Sequence, residues 1–134
     1  MENMIFNYAL AVSSLGILAL LMLVQVLVLD FTSIRRRHPP GQPINSGPED
    51  FLFRAARAHG NSNENLPTLL LIAAFCFLVG ADPDWVNPLM LAFVAARAGH
   101  MLCYYANLQI LRSVFFGIGL LAMIGMLVAG ILTL

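Results

Sequence analysis

The chain contains no lysine, so all seven of its cationic side chains are arginines. Every cation is therefore of the type that stays charged when buried and grips carboxylates through two parallel hydrogen bonds. Charge of either sign is scarce: 10% of the 134 residues are charged, against 60% hydrophobic. Soluble domains carry about 25% charged residues, so this composition excludes an ordinary soluble fold. The few charges balance to zero, which argues against nucleic acid as a partner. Only two cysteines occur, Cys76 and Cys103, each in an apolar stretch. They argue against a disulfide framework and for a pair of buried small hydrophobes.

Between Asn3 and Leu29 there is no charge. That run is too long for a signal-peptide core, and no small-residue cleavage site follows it. It reads as a retained transmembrane helix. The chain as a whole reads as one integral-membrane domain, residues 1–134, of the all-α class.

Four spans are expected, at about residues 5–34, 49–79, 85–107 and 112–134. The first ends in Arg35, Arg36 and Arg37, followed by a linker broken by Pro39, Pro40, Gly41 and Pro43. Ser46 is the expected helix cap of the second span, with Pro48 in the first turn and Glu49 and Asp50 near the positive dipole end. Pro67 falls inside this span and predicts a kink. Gly80 to Asp84 forms a turn, and Trp85 stands where interfacial aromatics anchor a helix. The positive-inside rule puts the first and third connections in the cytoplasm and both termini on the opposite side.

What the second span contains is anomalous for lipid. Arg54, Arg57, Asn61, Glu64 and Thr68 follow one another at steps of three and four. At about 100° per residue they share one helix face. Charge in a bilayer costs roughly 2.5–3.5 kcal/mol per residue on insertion scales. Such a stripe implies partners, water or a polar ligand at a helix–helix interface. The third span has its own stripe, Arg97, His100 and Tyr104, within about 60° of arc. Glu64 and Arg97 are the natural ion pair, either as interhelical glue or as part of a ligand site. Arg54, Arg57, Arg97 and Arg112 outnumber the single Glu64, and an anionic ligand resolves that imbalance. Arg112 is expected at a helix start, where the dipole favours an anion, and Ser113 adds a hydroxyl. Together they suit a thiolate, whose pKa falls in such surroundings. No second His, Cys or acid stands at metal-ligand spacing around His100.

Arg57-Ala58-His59-Gly60-Asn61-Ser62-Asn63-Glu64-Asn65-Leu66-Pro67 resembles the R-x-x-x-N-x-x-E-x-x-P signature of the MAPEG family, the membrane-associated proteins in eicosanoid and glutathione metabolism. Arg97-x-x-His100-x-x-x-Tyr104, followed by Arg112-Ser113, is similar to the third- and fourth-helix pattern of its prostaglandin synthase branch. The resemblance covers essentially the whole chain, which looks like a microsomal glutathione transferase-type member. It implies four-helix subunits assembled as homotrimers, with glutathione bound between subunits near the cytoplasmic side. It also implies that Arg57, Asn61 and Glu64 contact glutathione, Glu64 through the amino group. Arg54 would lie at the site mouth, and His100, Tyr104 and Arg97 would come from the third helix. Arg112 would activate the thiol, with Ser113 as a second contributor to catalysis. A hydrophobic electrophile or lipid hydroperoxide would enter from the membrane. Three departures bear on eicosanoid specificity. Asn65 stands where several eicosanoid-forming members carry tyrosine, Gly60 replaces a bulkier residue, and the connection from Tyr104 to Arg112 is one residue shorter. The alternative function is a MAPEG-fold membrane scaffold or lipid-binding protein without catalysis. A small transporter fits less well, since the first and fourth spans are plain apolar helices.

Overall fold

The computed structural model describes residues 2–134 and is all-helical. Met1, the first residue of the expected domain, lies outside the described residues. Five helices follow in order: α1 (Glu2–Asn7), α2 (Ala9–Arg35), α3 (Phe51–Val79), α4 (Pro83–Tyr105) and α5 (Gln109–Ile131). The last four are long and apolar enough to cross a membrane.

The first span differs from expectation at its start. A single helix from Ile5 was expected, but the chain breaks at Tyr8 between α1 and α2. The reason is tertiary. Tyr8 is buried, packs on Phe77 with ring centroids 4.8 Å apart, and donates its hydroxyl to the Ala81 carbonyl. Asn87 fastens the same corner, accepting from the Ala11 N–H at 2.9 Å and donating to the Asn7 carbonyl at 2.9 Å.

The second span is capped by Asp50, not by Ser46, so it begins at Phe51 and not at Glu49. The Asp50 carboxylate accepts from the Leu52 N–H at 3.2 Å, as an N-cap does. Ser46 instead donates to the other Asp50 oxygen at 2.8 Å, supporting the cap from outside the helix. That Ser46 bond, with the Leu52 N–H and the Arg36 and Arg54 charges, holds the Asp50 carboxyl below the usual carboxylate range against the opposing effect of burial. Helix α3 then continues through Pro67 and stops at Gly80, whose φ of 68° admits the left-handed turn that ends it. Helix α4 starts at Pro83, two residues before the expected Trp85, because Asp82 caps it and accepts from the Asp84 N–H at 3.0 Å. At its other end Asn107 takes φ 59°, and the Leu108 N–H reaches the Cys103 carbonyl at 2.8 Å. This six-to-one closure stops α4 at Tyr105 and lets α5 begin at Gln109, a turn before the expected Arg112.

The most extensive packing joins α4 to α5, with α2 next against α4. The α4–α5 approach is close at Gly99, where an added Cβ would fall 2.5 Å from the Phe115 ring. The apolar core lies among α2, α3, α4 and α5 and includes Leu18, Leu69, Met90, Phe93 and Met126. Cys76 and Cys103 are both free and buried. Arg36 and Asp50, 3.4 Å apart, form the one ion pair among the described residues, which ties the end of α2 to the start of α3.

Candidate functional site

Helix α4 carries the inner half of the site. Arg97, His100 and Tyr104 are all buried, as their spacing of three and four demands of one helix face. Arg97 does not pair with Glu64. Its Nη2 donates to Asn61 Oδ1 at 2.9 Å and to Ser62 Oγ at 3.1 Å. The correction has a geometric reason. Ser62 belongs to the inward row Ala55, Ala58, Ser62 and Leu69 of α3, whereas Glu64 is exposed. Two residues along a helix turn a side chain by about 200°, so Glu64 points away from the side that holds Arg97.

His100 and Tyr104 meet edge to face at 5.0 Å between centroids, and Phe116 of α5 closes on the histidine at 6.3 Å. The Arg112 guanidinium then lies over the Tyr104 ring, 4.5 Å from its centroid. This cation–π contact draws Arg112 onto α4. Arg112 is one turn inside α5, and its own N–H already bonds the Leu108 carbonyl at 3.0 Å. Ser113 is exposed and donates its hydroxyl to the Gln109 carbonyl at 3.2 Å, within its own helix. The structure thus brings Arg97, His100, Tyr104 and Arg112 into one continuous row with Asn61, and leaves Ser113 outside it.

The stripe on α3 faces outward. Arg57, Glu64 and Thr68 are exposed, and Arg54 and Asn61 are half-buried at its inner edge. Arg54 is held by the Pro48 and Glu49 carbonyls at 2.8 and 2.9 Å and by the Tyr105 carbonyl at 3.4 Å. It also lies 5.6 Å over the Phe51 ring. Neither Arg57 nor Glu64 has a side-chain partner among the described residues. The two stripes therefore do not enclose one pocket within the chain. Among the described residues, the one hydrogen bond between the two stripes is that from Arg97 to Asn61.

Several polar groups of this region carry unused hydrogen-bonding capacity. Arg54 Nε, Arg97 Nε and His100 Nδ1 are buried without a partner among the described residues. Such groups cost free energy unless water, ligand or a neighbouring chain satisfies them. Among the described residues, no three His, Cys, Asp or Glu side chains converge as metal ligands.

Three residues escaped the sequence reading. Ser62 shares Arg97 with Asn61, and its place on the Ala55–Ala58 row was a usable signal. Gln25 is fully buried in α2, and neither of its amide atoms has a partner among the described residues. Asp30, on the same helix, is exposed. Both stand as single polar residues in an apolar segment, a signal that period-based reading passes over.

The MAPEG family model matches residues 8–132, nearly the whole chain. No curated protein and no solved structure matches it.

Proposed function

The chain belongs to the MAPEG family, and from that premise we propose that it is a membrane-bound glutathione transferase with glutathione peroxidase capacity. Membership fits a role in membrane glutathione or eicosanoid metabolism. The observation that carries the finer reading is the outward position of Arg57 and Glu64 on a membrane-spanning helix. Lipid does not solvate such a row. A second copy of the chain covers it, and a ligand with both charges fills it. Glutathione offers two carboxylates, an ammonium and a thiol. Arg54 and Arg57 suit the carboxylates, Glu64 the ammonium, and Asn61 the peptide amides, with Arg97, His100 and Tyr104 forming the floor.

Arg112 is the residue that holds the thiolate. Its charge lowers the thiol pKa, and the Tyr104 ring fixes its direction. The preformed thiolate attacks an electrophilic carbon, forming a carbon–sulfur bond as the leaving group departs with the electron pair. With a lipid hydroperoxide, two glutathione molecules give the alcohol, water and glutathione disulfide. The copies form a homotrimer, the site lies at the cytoplasmic side, and the hydrophobic substrate enters from the bilayer between the first helix of one subunit and the fourth helix of its neighbour. Ser113 contributes only if its hydroxyl leaves the Gln109 carbonyl.

The test is ultraviolet detection of bound thiolate on adding glutathione to wild type and Arg112→Ala. Thiolate in wild type and its loss in the variant are expected. Equal thiolate in both removes Arg112 from the mechanism. Turnover of a chlorinated aromatic with glutathione separates the enzyme from a non-catalytic scaffold or lipid-binding protein.

A further inference from the structure

Asp30 is a carboxylate on the surface of a membrane-spanning helix, with no ion-pair partner among the described residues. It stands five residues, about 7.5 Å of helix rise, before the end of α2 at Arg35. Gln25 marks the inward side of α2, since it has no exposed surface. Asp30 lies about 140° around the helix from it. A cleft of about 610 Å³ between α2 and α3 is lined by Val28, Thr32, Arg35 and Phe51 among others. Of the α2 residues in that cleft, Leu27 and Phe31 lie about 60° and 100° around the helix from Asp30 and Val28, Thr32 and Arg35 about 140–160°. The cleft therefore centres about 130° from Asp30, on the far side of α2.

Helix α3 exposes the opposite charge at the same depth. The Arg36–Asp50 ion pair fixes the level of the two antiparallel helices. Six residues into the membrane from each lie Asp30 and Ala56, the neighbour of Arg57. One residue is about 1.5 Å of rise, so Asp30 and Arg57 are level to within a turn. Arg57 is exposed, and it sits about 120° around α3 from Phe51, the α3 residue in that cleft. The two charges thus leave one subunit on different sides and do not meet within it.

We propose that Arg57 pairs with Asp30 of the partner subunit. The patches differ, an α2 face against an α3 face, so the contact is head-to-tail and closes copies into a ring. This rests on the subunit-interface site given above and adds a residue to it. The guanidinium has five donors in a planar fork, so one edge held by a carboxylate leaves another for a ligand. Asp30 is then a positioning residue that fixes Arg57 at the site.

Asp30→Cys and Arg57→Cys chains with tags of different mass are co-expressed and treated in the membrane with a reducible bis-thiosulfonate cross-linker long enough to span the replaced Arg and Asp side chains. The expected product is a reducible dimer bearing both tags, with neither variant cross-linking alone, the native cysteines being buried. Oligomers by amine-independent chemical cross-linking without that mixed dimer overturn the pairing and leave the interface site standing. Absence of oligomers by both routes overturns both. The positioning role has its own readout. Asp30→Asn raises KM for glutathione several-fold with kcat within twofold, and Asp30→Glu restores it. An equal fall in kcat overturns that role.

Discussion

The Arg112 guanidinium stacks over the Tyr104 ring at 4.5 Å, so a residue of α5 is positioned by the buried face of α4. The ring and not the hydroxyl makes this contact. Tyr104→Phe is therefore expected to keep glutathione-dependent kcat/KM within about twofold. Tyr104→Leu is expected to lower it about tenfold, the equivalent of a cation–π contact of ~1–2 kcal/mol. Equal losses in both variants would move the role to the hydroxyl.

Arg97 is buried and relies on Asn61 and Ser62 for its Nη2 bonds. Ser62→Ala removes one of them and is expected to cost about 1.5–3 kcal/mol, because the bond is to a charged donor. Thermal unfolding in detergent measures it. Arg97→Met together with Ser62→Ala should lose less than the sum of the two single changes, since the buried charge is gone.

Two glycines separate packing from propensity. Gly99→Ala places a Cβ 2.5 Å from the Phe115 ring and is expected to destabilise by about 1–3 kcal/mol. Gly60 has open space where its Cβ would stand. Gly60→Ala is expected to stabilise α3 by about 0.5–1 kcal/mol. The pair of melting curves checks both signs.

Asp50 joins cap, hydroxyl and ion pair at the start of α3. Its folded pKa lies below the unfolded value, so its contribution is complete above the unfolded carboxylate range near 4 and is lost as pH falls through the folded value. The melting temperature is expected to drop on acidification below about pH 4. Asp50→Asn, which keeps an N-cap oxygen, should flatten that drop. Asp50→Ala should cost about 0.5–2 kcal/mol at neutral pH.

The four long helices and the family were legible because apolar runs and the Arg57–Asn61–Glu64–Pro67 spacing are local patterns. The partner of Arg97 was not. Charge complementarity pointed to Glu64, but the angular placement of Ser62 and Asn61 on α3 decided the contact. Helix ends shifted for a similar reason. Ser46 and Asp50 are both good caps by type, and only the carboxylate at Asp50 reaches the Leu52 N–H. The start of α5 moved because Asn107 adopted a left-handed turn, which a sequence permits for asparagine without requiring it.

Helices α3 and α4 are the two less apolar membrane spans, and α4 is the one most enclosed by its neighbours. Helix α4 carries buried Arg97 and His100, and α5 packs along it more extensively than any other pair of helices packs. Alone in lipid, α4 would present those two side chains to hydrocarbon at a cost of several kcal/mol. Its entry into the bilayer is therefore coupled to that of α5 across the three-residue connection Ala106, Asn107 and Leu108, with α3 already there to receive Arg97. The last two spans are thus expected to insert as one unit, and a chain stopped after Tyr105 is expected to accumulate less in the membrane than the full chain.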